Sequence, residues 1–184
     1  MADRVETRSG TFVVSEAVRS ILLGTSGLGI VAIAALLLSA SRAPCAGASA
    51  QARRVGRIAA VAVAAHGIHF IEEWRAAFGV RFPELLRLTP WPGSFLVAFN
   101  VFWIVVWIAA IVLLRVPSRV VLFPIWFLAI ASAVNGVAHP LLSLAVGGYF
   151  PGLWSSPVVG VVGIALLLAL GALTRPSATT PPSR

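Results

Sequence analysis

The chain has 184 residues, 59% of them hydrophobic and 11% charged, with a mean hydropathy of +0.95, whereas soluble domains are roughly 45–50% apolar. Its formal charge of +8 comes from fourteen arginines and no lysine, scattered between apolar runs rather than gathered on one stripe of a polar fold as nucleic-acid recognition requires. Composition therefore excludes a soluble globular domain and a nucleic-acid partner, and predicts an all-α, polytopic membrane helix bundle in contact with membrane lipids.

Residues 1–20 are polar, with Asp3, Glu6 and Glu16 offsetting Arg4, Arg8 and Arg19. A first span is predicted over Ile21–Ala40. Its apolar run exceeds the roughly 7–15 residues of a signal peptide, so a retained helix is expected. Arg42–Arg57 reads as a basic loop, which completes an N-terminal unit of residues 21–56. Residues 57–174 are expected to form a four-helix membrane domain, giving about five transmembrane helices in all. Its first span covers Ile58–Trp74. The stretch Arg75–Ser94, with Pro83, Pro90 and Pro92, suits a surface or re-entrant segment. Spans follow over Phe95–Leu114 and Val120–Val146, the latter expected to break at "NGVAHP". The loop "GGYFPGLWSSP" leads to a last span, Val158–Leu173, and residues 175–184 read as a disordered tail. The single Cys45 excludes an intramolecular disulfide. Arginine placement puts the loops at 42–57 and 115–119 and the tail in the cytoplasm and Gly147–Pro157 outside, with Arg75, Arg81 and Arg87 running against that assignment. A multi-pass protein of the cell membrane, the inner membrane in a bacterium, is expected.

The chemistry concentrates in "AHGIHFIEEW", Ala65–Trp74. Residues three, four and seven apart share a helix face. His66, His69 and Glu73 thus form one stripe, with Glu72 beside His69. A charged group at the bilayer centre costs about 2.5–3.5 kcal/mol on insertion scales, so these side chains should face the bundle interior. Asn100 lies about two turns into the third span, and Asn135 and His139 stand one turn apart on the fourth. With alternating helix directions all of them arrive at one depth. Each also has a structural reading. His66 can bridge a helix interface, Glu73 can be neutralised by Arg75, Asn100 and Asn135 can be interhelical contacts worth about 0.6 kcal/mol each, and His139 can fill the carbonyl gap left by Pro140. The tryptophans fit belt or packing positions.

With "HFIEE" at His69–Glu73, and with "NGVAHP" and "YFPG" further on, the sequence resembles the HXXEE family of bacterial and fungal membrane proteins over roughly Arg57–Leu173. The resemblance implies a multi-span domain of unassigned activity, with His69, Glu72 and Glu73 carried by the name-giving motif and Asn135 and His139 by the looser "NGVAHP" match.

Three functions remain open. One is cofactor-free isomerisation or cyclisation of a lipid or isoprenoid, with Glu72 or Glu73 as proton donor, His69 as base, and Asn100, Asn135 and His139 as orienting groups. The second is a metalloenzyme holding a single zinc or iron ion on His66, His69, Glu73 and His139. The third is a non-catalytic proton- or cation-binding or transport-related protein, which needs polar residues at more than one depth. The first two imply a lipophilic small-molecule substrate.

Overall fold

A computed structural model describes residues 16–45, 49–116 and 118–176. Its helices are α1 (Glu16–Gly24), α2 (Ser26–Ser41), α3 (Ser49–Arg75), α4 (Phe78–Leu85), α5 (Gly93–Leu113), α6 (Arg119–Ala145) and α7 (Ser156–Leu173). Two three-residue strands, β1 (Arg42–Pro44) and β2 (Thr174–Pro176), form an antiparallel ribbon. Helices α3, α5, α6 and α7 are each long and apolar enough to cross a membrane, and α1 with α2 makes a fifth candidate bent by 48°. The protein is an all-helical membrane bundle. Its outward faces are apolar, as Val61, Ile68, Val101, Val105 and Val161 show by their exposure, which suits lipid rather than water as solvent.

Four local expectations are corrected. The first span is not straight: within "GTSGLG" the Thr25 Oγ1 donates to Ile21 O (2.7 Å) and Ser26 Oγ to Leu23 O (2.7 Å), and hydroxyls that bond back into the preceding turn beside glycines bend a helix. The basic loop is mostly helix, because α3 begins at Ser49 and carries Arg53, Arg54 and Arg57 in its exposed opening turns. Helix α6 runs through "NGVAHP" without interruption, since Pro140 removes one donor but its neighbours keep helical geometry. Arg175 and Pro176 belong to β2 rather than to a tail. Residues 1–15 and 177–184 of the expected polar segment and tail lie outside the described residues.

Helix α6 is the hub, buried from Leu122 through Ala129 except at Phe123 and Pro124, and packed against α2 and α7. Helices α6 and α7 cross at a glycine contact: a Cβ on Gly136 would stand 2.5 Å from Gly160 Cα. Small residues of this kind let membrane helices approach backbone to backbone. Helix α3 presents Ala52, Val55, Ala59 and Ala62 as its buried seam, and the same three-four spacing continues into His66, His69 and Glu73. The motif is the last part of a packing stripe. At that end of the bundle α3 and α6 finish while α5 and α7 begin, and α4 with the 147–155 loop covers them.

Candidate functional site

Three of the anticipated residues converge. His69 on α3 is fully buried, with Glu73 one turn further on and His139 on α6, 8% and 3% exposed respectively. The Glu73 Oε1 lies 3.5 Å from His69 Nε2 and 3.4 Å from His139 Nε2, and one potential ligand atom from each residue falls within 4.8 Å of the others.

The outer ring nitrogens fix how these imidazoles present themselves. His139 Nδ1 is 2.5 Å from the Pro151 carbonyl. A carbonyl only accepts, so Nδ1 carries the hydrogen. His69 Nδ1 is 2.8 Å from Ser155 Oγ, and the single Ser155 hydroxyl hydrogen is already given to Glu72 Oε2 at 2.5 Å, so His69 Nδ1 is again the donor. In neutral rings both Nε2 atoms then carry lone pairs, and both lie within 3.5 Å of one carboxylate oxygen. Three acceptors facing one another with no donor between them is an arrangement completed by a cation. His69 Nε2 accordingly has no hydrogen-bond partner among the described residues.

Two of the three spacings suit a metal ion directly. Ligand atoms about 2.0–2.1 Å from zinc at a tetrahedral angle stand about 3.3–3.4 Å apart, close to the two separations from Glu73, and all three ligand atoms lie within 4.8 Å of one another. The Nδ1 contacts supply the outer support that metal-bound histidines ordinarily have.

Glu72 does something different from its neighbour. Its carboxylate accepts from Tyr149 Oη (3.0 Å), the Trp154 N–H (3.1 Å), the Ser155 N–H (2.9 Å) and Ser155 Oγ. Two of these are backbone donors at the start of α7, where a helix leaves its N–H groups unpaired and favours an anion. With its oxygens so engaged, Glu72 is directed away from the cavity and ties α7 to α3. Burial, and then the bond to Glu72, raise the Tyr149 phenol above its ordinary range, which keeps it a donor. Arg81 of α4 adds a bond from Nη2 to Tyr149 O (2.9 Å) and lies over the Phe150 ring.

His66 stands apart from the three converging ligands. Its ring meets Trp107 edge-on at 4.9 Å, its centroid is 6.1 Å from that of His69, and its Nδ1 is buried without a partner. It lies on the same stripe but two turns before Glu73, about 10.5 Å along the helix axis, too far to share the ligand set. Asn100 donates from Nδ2 to Leu96 O of its own helix (2.9 Å). Asn100, Asn135 and His66 line, with Glu73 and His139, one cavity of about 250 Å³. His139 does not fill the gap at Pro140, since its Nδ1 reaches across to the loop.

Sequence reasoning did not single out Ser155, the Pro151 carbonyl or Gly152. Gly152 has φ of +89°, and a Cβ there would lie 2.5 Å from His139 Cε1 and Nδ1 and 2.7 Å from His69 Cε1. Only glycine lets the loop pass this close to both rings. The "YFPG" block was the available signal.

The sequence pattern described as "Protein of unknown function with HXXEE motif" matches residues 60–167. The chain belongs to the HXXEE family. The match begins inside α3 and ends inside α7, so the HXXEE region contains the three converging ligands, both asparagines and the 147–155 loop, and leaves α1 and α2 outside it. No curated protein and no solved structure matches the chain.

Proposed function

We propose that this HXXEE protein is a membrane metalloenzyme whose centre is His69, Glu73 and His139. The observation that carries the reading is the meeting of two Nε2 lone pairs with a carboxylate oxygen, each imidazole held in that tautomer from behind. Two histidines and one carboxylate suit zinc or ferrous iron, and three protein ligands leave room for water or a substrate oxygen. A bound ion would act there as a Lewis acid, on water or on an oxygen function of a lipophilic molecule. The chain's own part is to fix the ligand set, keep bulk water out with α4 and the 147–155 loop, and present the open side to the apolar cavity.

Cofactor-free acid/base chemistry fits less well, because one proton shared with Glu73 satisfies one of the two lone pairs and leaves the other orphaned. A conduction role has less support again, since the cavity's polar residues gather at one end.

Elemental mass spectrometry of the purified protein, beside His69→Ala and Glu73→Gln variants, tests the reading. Near-stoichiometric zinc or iron is expected in the wild type and a loss of at least tenfold in both variants, with helicity retained. A wild type that stays metal-free when offered either ion would sink the metal centre and return Glu73 to proton transfer.

A further inference from the structure

The cavity beside the three ligands is apolar over most of its wall. Leu28 and Val31 of α2, Phe95, Phe99 and Trp103 of α5, and Phe127 of α6 form its body. Its polar side chains are Thr25 at the bend between α1 and α2 and, around the motif, His66, Glu73, Asn100, Asn135 and His139. Among the described residues α2 rests on α6 and makes little backbone contact with α5, although both helices line the cavity. The side between α2 and α5 is therefore the natural place for the cavity to open to lipid.

Size and charge narrow the occupant. A volume of about 250 Å³ falls just below the roughly 300–1,000 Å³ of ordinary small-molecule sites. Space near the lower end of that range suits one medium-length chain rather than the two chains of a diacyl lipid. Among the described residues no arginine lines the cavity, and phosphate recognition depends on such cations. The groups beside the metal ligands are two amides and an imidazole. The His66 Nδ1, on a residue only 9% exposed, has no hydrogen-bond partner among the described residues. These groups suit a neutral oxygen.

We infer that the cavity takes the single hydrocarbon chain of a neutral, oxygen-headed lipophile such as an alcohol, aldehyde or ester. The chain enters from the bilayer between α2 and α5, and the head lies among His66, Asn100 and Asn135. That the head is the reacting group rests on the metal-centre reading. The occupancy of the cavity does not.

Photolabelling with a medium-chain alcohol bearing a diazirine, followed by peptide mass spectrometry, tests this in the purified full chain. Label is expected on the α5 segment from Phe95 to Trp103 and on α2 near Leu28, displaced by octanol but not by octyl phosphate or a diacyl lipid. Leu28→Trp, at a half-buried wall position, should cut labelling at least tenfold while metal content and melting temperature stay unchanged. Asn135→Leu should weaken octanol competition several-fold more than it weakens competition by octane. Label spread over lipid-facing positions such as Val101 and Val105, or displacement by octyl phosphate as strong as by octanol, would overturn the inference. Specific labelling of a wild-type chain that stays metal-free when offered zinc or iron would sink the metal centre and leave the chain site standing. Bound metal with no specific label would do the reverse.

Discussion

The two ends of the bundle are held together on different terms. At the motif end the contacts are polar and interlocked: Glu72 accepts four hydrogen bonds from the 149–155 loop, Ser155 relays to His69, and Pro151 holds His139. At the arginine end the joint is local and separable. The ribbon pairs Ala43 with Arg175, Arg42 bonds Thr174 through Nε (3.0 Å) and Nη2 (3.2 Å), and Ser39 Oγ donates to Arg119 O. Beneath it lie Leu122, Leu166, Leu170 and Leu173, all fully buried. Polar networks lose cooperatively when one member is removed, whereas apolar packing with a few surface bonds loses piecemeal. The first kind of joint fits a site that must hold atoms to fractions of an ångström, and the second fits a scaffold.

The sharpest way to break this contrast is at Gly152. In Gly152→Val the added carbons meet both imidazoles, so bound metal is expected to disappear while the helices, followed by circular dichroism, remain. A variant retaining full metal would show that the loop does not set the ring positions. Next in size is Glu72→Gln, which keeps the shape but removes the charge that accepts from α7. Loss of such outer support typically costs 10–100-fold in metal affinity, measurable by chelator competition. An unchanged affinity would reduce Glu72 to a simple tether. The smallest effect is expected at the other end. Arg42→Ala should lower stability by about 1 kcal/mol, the ordinary net worth of a hydrogen-bonded contact, and should leave metal content untouched. A drop in metal content there would mean that the two ends are coupled.

What the sequence made legible follows the same division. The stripe His66, His69, Glu73 could be read because helical periodicity is a property of the chain itself, and it continues the seam of small residues from Ala52 to Ala62. His139 and Asn135 were legible as rare polar residues at a matching depth. The division of labour between Glu72 and Glu73 was not. Adjacent residues on a helix differ by about 100° in direction, and which of them meets the cluster depends on where α6 and the loop stand. Ser155, the Pro151 carbonyl and the near approach of Gly152 come from a loop without periodicity, and two of them act through backbone that any residue name conceals. The bend at Thr25 was written in "GTSGLG" as hydroxyls among glycines, but a count of apolar residues passes over it.

One feature of the packing bears on how the protein is made. Helix α2 rests mainly on α6, and the ribbon that fastens its end pairs with residues following α7. Synthesis delivers α2 to the membrane long before either partner exists. Helices of a membrane protein insert individually and associate afterwards, so α2 has to wait alone in lipid while most of the chain is translated. Its uncharged and mostly apolar sequence, "SGLGIVAIAALLLSAS", makes that wait tolerable, and the cavity wall it contributes is among the last parts of the molecule to close.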